Sequence, residues 1–170
     1  MNTVTFICQL KLKNNVNDNR LYFIEEILKH SVDKFNFHFL GLYNEQPKWN
    51  YEFNNELMIS KTALNLSRGG PSKYSSSNRI ASIMGNGILP FIDEKVQYQD
   101  FFDNDEIITY KNSSDLIAKL SKTLSNERNL IKRSKNAKKR YFDIFSNIIV
   151  ADFIIYKVFE FKKNHKFIWD

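Results

Sequence analysis

Residues 61–93 read KTALNLSRGGPSKYSSSNRIASIMGNGILPFID. Two short apolar runs, KTALNLS and ILPFID, enclose a loop rich in glycine, serine and cations and then a stretch with helical spacing. The apolar runs read as strands buried on both faces. Ser75, Ser76, Ser77 and Asn78 are all good helix N-caps. After them, RIASIM sets Ile80, Ile83 and Met84 on one side of a helix, and GNG stops it. Strand, helix and strand in that order is the unit from which parallel sheets are wound.

The same alternation extends in both directions. Upstream, TVTFICQL (Thr3–Leu10) is a short β-branched strand, and NNVNDNR breaks it. Leu21, Ile24, Leu28 and Val32 then recur at helical spacing. FNFHFLGLY (Phe35–Tyr43) is a second strand, and YEFNNELMIS a short helix before the third strand at KTALNLS. Downstream of ILPFID, KVQYQDFF is a short helix or turn, and DEIITYKN a fifth strand. Asn112 and Asp115 form a capping box for a helix carrying Leu116, Ile117, Leu120 and Leu124. A long helical tail follows, basic over Arg128–Arg140 and then apolar in YFDIFSNIIVADFIIYKVFEF. The expected fold is α/β, a Rossmann-like doubly wound parallel sheet with a long C-terminal helical tail. Residues 1–170 form one domain, and residues 125–170 are the tail of that domain.

Composition supports a real core, with 42% hydrophobic residues and 15 Phe in 170 residues. The net charge of +6 favours anionic partners. The single cysteine, Cys8, lies in the first strand and reads as a buried thiol; one cysteine excludes an intrachain disulfide framework and fits a reducing compartment. Lys11 and Lys13 follow the first apolar run instead of preceding it, so no signal peptide is expected. No apolar run is long enough to span a membrane. The expected location is cytoplasmic.

Ligands of open α/β sheets bind beyond the carboxyl ends of the strands. The loop after KTALNLS occupies that place and leads into a helix N-terminus, which attracts anions. Arg68, Lys73 and Arg79 add charge, Gly69 and Gly70 permit close backbone approach, and Tyr74 can stack on a base or sugar. The alternative is a polar loop with solvated cations. Gly85 and Gly87 either let the next strand start close under a ligand or simply stop the helix. The run ERNLIKRSKNAKKR is either a nucleic-acid patch or the solvated face of a helix packed through Leu130, Ile131 and Ala137. No GxGxxG follows the first strand, and no Walker A or GxSxG motif occurs. His30, His38 and His165 are scattered and, with one cysteine, make no zinc pattern. His38, inside a strand, reads as a hydrogen-bonded structural residue.

Taken together, Asn65-Leu66-Ser67, Arg79, Gly87, Asp93, Asp100-Phe101-Phe102 and Glu106-Ile107-Ile108-Thr109-Tyr110, closed by RSKNAKKRYFDIFS, resemble the C-terminal, donor-binding half of GT-B glycosyltransferases. The likeness is nearest to the bacterial spore-maturation-type family with a "glycosyl transferases group 1" C-terminal domain, and it covers essentially the whole chain. The resemblance implies two Rossmann-like halves with the active site between them, and a nucleoside-diphosphate sugar held on this half without metal or other cofactor. Many relatives carry a glutamate three residues after the arginine; Ser82 stands there in this chain. The half that binds the acceptor and supplies the catalytic base lies outside these residues.

The sequence therefore points to a glycosyltransferase donor-binding domain, a hexosyltransferase-type enzyme short of its acceptor half. The donor-binding set is Arg20, Arg68, Gly69, Lys73, Tyr74, Ser77, Asn78, Arg79, Ser82 and Gly87, with no metal ligand and no assigned catalytic residue. The alternatives are a non-catalytic nucleotide-sugar-binding subunit and a basic nucleic-acid-binding module. The apolar tail predicts self-association or an acceptor-domain partner, unless it bends near Ser146–Asn147 and buries both faces.

Overall fold

A computed structural model of the chain describes residues 3–7, 19–43, 45–66, 70–75, 77–160 and 166–169. Cys8, Arg68 and Gly69 lie outside the described residues. Five strands are present among the described residues: β1 (Thr3–Ile7), β2 (Asn36–Leu40), β3 (Thr62–Asn65), β4 (Leu89–Asp93) and β5 (Ile108–Tyr110). They form one sheet in the order β2-β1-β3-β4-β5, with every neighbouring pair parallel. The helices are α1 (Asn19–Ser31), α2 (Asn50–Met58), α3 (Asn78–Gly85), α4 (Ser113–Leu124), α5 (Glu127–Phe145) and α6 (Asn147–Phe159).

The burial pattern explains the parallel arrangement. All four residues of β3 and the first four of β4 are buried, so both faces of the sheet centre need helices over them. On one face α1 and α4 pack together, joining Ile24 and Ile27 to Leu116 and Leu120 in the main core. On the other, α2 and α3 cover Ala63 with Leu57 and Ile83. Right-handed crossovers lead to this division, because the chain moves to opposite sides of β1 on its way to β2 and β3. The stripe of α1 differs from the expected one. The helix ends at Ser31, so Val32 falls beyond it and is exposed, and Ile27 takes the core position.

The start of α4 follows its capping signal. The Asn112 side chain accepts from the Asp115 N–H, and Asp115 reaches back to the Lys111 N–H. A cap of this kind contributes about 1 kcal/mol. Between β4 and β5 the chain has no α-helix, only two 3₁₀ turns, Glu94–Val96 and Tyr98–Asp100.

The tail does bend at Ser146, whose hydroxyl caps α6 by accepting from the Ile149 N–H. Bending does not bury both faces. No residue of α6 is buried, although Phe167 returns to pack on Phe153 and Tyr156. On α5, Leu130 and Ala137 are buried as expected, but Ile131 is half exposed. Part of its cationic run is structural. Arg133 donates to the carbonyls of Asn104 and Ile107, and Arg140 to that of Phe101, so α5 clamps the β4–β5 connection. His38 Nδ1 lies 3.1 Å from a carboxylate oxygen of Glu56, without the geometry of a hydrogen bond.

Candidate functional site

β1 pairs with β2 on one side and β3 on the other. The chain diverges at this point, and the crevice outside the carboxyl ends of β1 and β3 is where open α/β sheets hold ligands. Two helices begin beside it, α1 after β1 and α3 after β3. Arg20, in the first turn of α1, is 8% exposed.

The start of α3 is built in an unusual way. Its N-cap is Ser77, but the Ser77 side chain makes no capping bond. Its hydroxyl instead donates to Oδ1 of Asn65, the buried last residue of β3, at 3.2 Å. By contrast, Asn112, Asn126 and Ser146 all cap their helices through side-chain oxygens. The serine that sequence logic assigns to the first N–H groups of α3 thus does not cap them with its side chain, although the Ile80 N–H reaches the Ser77 carbonyl at 3.0 Å, and the helix dipole favours an anion near this end. Arg79 locks the same corner. Its guanidinium donates to the Leu66 carbonyl at 2.6 Å, tying the first turn of α3 to the end of β3. The bond sets the Arg79 guanidinium at the first turn of α3, beside the end of β3.

The loop entering α3 is held from its other side. Gly70 has φ +98°, a conformation that L side chains rarely adopt, and a Cβ there would meet open space, so the need for glycine is conformational. Tyr74 and Gln97 are both left-handed, with φ 56° and 58°. The Tyr74 N–H donates to the Val96 carbonyl at 2.8 Å. This bond joins one left-handed residue to the residue that precedes the other and fixes the junction. The Tyr74 hydroxyl donates to Asp100 at 2.6 Å, its ring leans on Phe101, and the Lys73 ammonium lies 4.8 Å from its centroid. Tyr74 keeps an exposed flank, yet its first duty is to dock the loop on the 3₁₀ turns.

The hydrogen bond to Asp100 raises the Tyr74 phenol above the ordinary tyrosine range, since ionisation would set two anions side by side. Asp100→Asn should therefore bring the Tyr74 titration down towards the usual value. NMR of ring-labelled tyrosine across alkaline pH measures this. A Tyr74 midpoint unmoved by the substitution would remove Asp100 as the cause.

The structure brings together most of the described members of the sequence-derived set. Lys73, Tyr74, Ser77, Asn78 and Arg79 lie along one loop and helix start, whereas Arg20 lies in the first turn of α1, which packs on the other face of the sheet. Ser82 is a turn further along α3, where its hydroxyl donates to the Asn78 carbonyl. Gly87 is elsewhere. It sits in the turn after α3, at the amino end of β4, with φ +73°. α3 runs back against the strands, so this turn lies at the opposite edge of the sheet. The conformation there is that of a helix stop, and a Cβ would meet only Lys138 Cδ, at 3.6 Å. Sequence reasoning missed that Asn65 anchors Ser77 and that the Val96 carbonyl and Asp100 hold Tyr74. The aromatic turn after Tyr98 was the available signal for the second.

Two other features lie apart. A shallow cleft of about 430 Å³ between the end of α4 and the start of α5 is lined by Lys119, Lys122, Asn129 and Arg133. It sits at the amino edge, and Lys119 and Arg133 there donate to backbone carbonyls. Among the described residues, the one carboxylate group close enough to hold a metal is Asp103, Asp105 and Glu106, in the turn before β5. Asn136 donates to Asp105 there, and the Asp103 N–H to Glu106.

The family comparison decides the identity. The model of the family described as glycosyl transferase-like matches residues 20–154. The chain belongs to the glycosyl transferase-like family. The match shows that broad family. No curated protein matches the sequence significantly. Among solved structures, an α1,3-fucosyltransferase aligns with TM-score 0.61 at 11% identity, over 81% of this chain and 38% of its own. S. aureus TarM, solved with fondaparinux, α-GlcNAc-glycerol and UDP, aligns with TM-score 0.63 at 14% identity, over 89% of this chain and 34% of its own. A protein assigned as a UDP-N-acetylglucosamine 2-epimerase from Listeria monocytogenes aligns with TM-score 0.61 at 14% identity, over 98% of this chain and 47% of its own. At these identities the likeness is one of fold, a Rossmann-like half of the GT-B arrangement. This glycosyl transferase-like chain spans between a third and a half of the length of these structures.

Proposed function

We propose that this chain is the donor-binding half of a glycosyltransferase and holds a nucleoside-diphosphate sugar at the carboxyl edge of its sheet. The observation that carries this reading is the bond from Ser77 to Asn65, which turns the N-cap hydroxyl away from the start of α3 beside the β1/β3 crevice. The UDP bound in TarM and the nucleotide sugar in the epimerase's name agree with the ligand class. In the leaving-group step the sugar–phosphate bond breaks and negative charge grows on the diphosphate. The N–H groups at Ser77–Arg79 and the cations of Arg68, Lys73 and Arg79 stabilise that charge, with Arg20 contributing from α1. Tyr74 offers its exposed flank to the base or sugar. Ser82 stands in place of the glutamate of many relatives, so the ribose or sugar hydroxyls lose a carboxylate acceptor.

The acceptor site and the catalytic base belong to another half, a further segment or a partner chain. A non-catalytic nucleotide-sugar-binding subunit is the second reading. It predicts turnover only when a partner is added. A reducing cytoplasm suits a chain with one cysteine.

Diphosphate held by cations and N–H groups needs no divalent metal. Isothermal titration with nucleosides, nucleoside diphosphates and their sugars, with and without chelator, tests both statements. The expected result is binding that requires the diphosphate and is the same in chelator. Loss of binding in chelator would overturn the metal-free mode. Absence of any preference for diphosphates over nucleosides would overturn the site.

A further inference from the structure

β5 stands last in the sheet order, so one of its edges has no strand beside it among the described residues. The segment reads Ile107-Ile108-Thr109-Tyr110, β-branched or aromatic at every position. Ile107, Ile108 and Tyr110 are buried, so their side chains put nothing charged in the way of another strand. A run of this composition, with N–H and C=O groups unpaired along one edge, is a template for strand pairing. The edge is reachable, because Ile107, Ile108 and Thr109 line the cleft between α4 and α5.

Two cations in that cleft bond to the strand itself. Successive residues of a strand direct their N–H and C=O groups to opposite edges, so Ile107 and Thr109 share an edge. Arg133 of α5 donates to the Ile107 carbonyl at 2.9 Å, and Lys119 of α4 donates to the Thr109 carbonyl at 2.9 Å. These donors come from helices, so the shared edge is the one that β4 leaves free. Each cation is also anchored beside the strand. Arg133 donates to the Asn104 carbonyl at 2.5 Å, and the Lys119 ammonium donates to Asp115 at 2.9 Å. Asp115 is fixed in turn by the Lys111 N–H and by its place in the cap of α4. Lys122 lines the same cleft but is exposed. Charged groups held against an outer strand are a recurrent way of blocking a sheet edge.

We infer that Lys119 and Arg133 close the outer edge of β5 against strand addition. An incoming strand must bring its own N–H groups to the Ile107 and Thr109 carbonyls, and both cations stand in that place. Displacing them would strip two charges of their acceptors inside a cleft, which costs more than leaving neutral groups unpaired. The helices that follow β5 thus end the sheet there by side-chain chemistry as well as by packing.

Light scattering of the full chain over a concentration series tests this on the parent, on Lys119→Met/Arg133→Met and on Lys122→Met/Lys132→Met. The last variant removes the same charge from exposed positions of the same two helices. In the first variant the concentration for half-association should fall about tenfold or more below the parent's, or below the highest concentration at which the parent stays monomeric, as opening two backbone acceptors allows. The charge-matched variant should behave as the parent. Adding Thr109→Pro to the first variant should restore the parent's behaviour, because proline removes the N–H on the open edge. Circular dichroism and the thermal midpoint check the fold. Association no stronger than the parent's would overturn the assignment. So would an equal rise in the charge-matched variant, or a rise that Thr109→Pro leaves in place. If the double variant does not fold, Lys119→Met alone decides, with stronger association expected and parent-like association counting against the closure. Nucleoside-diphosphate binding, measured separately, reports on the candidate site and not on this edge.

Discussion

Replacing Arg79 with alanine should weaken nucleoside-diphosphate binding by about tenfold or more while barely changing the binding of the corresponding nucleoside. A charge-assisted hydrogen bond contributes roughly 1.5–3 kcal/mol, which sets that scale. The residue has two connections to separate. Its guanidinium already donates to the Leu66 carbonyl, so alanine also frees the first turn of α3 from the end of β3. A loss through that route alone would affect both ligands, because the whole crevice would loosen. Titration of nucleoside and diphosphate side by side tells them apart. Arg79→Lys refines the result, since it keeps the charge without the planar fork and should fall between the parent and the alanine variant. Equal losses for nucleoside and diphosphate would reject the phosphate role.

The largest expected effect on stability comes from Phe91→Ala in β4. Phe91 is fully buried at the centre of the main core. Cutting such a ring to a methyl group loses its transfer energy and leaves a cavity, together about 3–5 kcal/mol. Domains of this size are stable by only about 5–15 kcal/mol, so the variant should be partly unfolded at modest urea concentration. Phe142→Ala, on the exposed side of α5, should change stability by no more than about 0.5 kcal/mol. Urea denaturation of the two variants measures the contrast. Equal midpoints would mean that β4 is not the centre of the core.

The order of elements was legible because local rules carried it. Doubly apolar strands, the 3.6-residue stripes of α3 and α4, the Asn112 cap and the break at Ser146 are all properties of a few consecutive residues. So was the place of the candidate site's loop in the sheet, since a loop leading from a strand into a helix lies at the carboxyl edge of a parallel α/β sheet. Which contacts its residues make was a tertiary matter. Ser77 is a good N-cap by local rules, yet Asn65, twelve residues away, takes its hydroxyl. Tyr74 looked free to stack until the fold set it on Asp100 and Phe101. Gly87 belonged to the same quoted stretch as Arg79, but the antiparallel run of α3 against its strands carries it to the other edge. Local sequence specifies which backbone groups seek partners. Only the assembled sheet decides which partners come within reach, because hydrogen bonds and ring contacts act over a few ångströms and segments distant in sequence supply them.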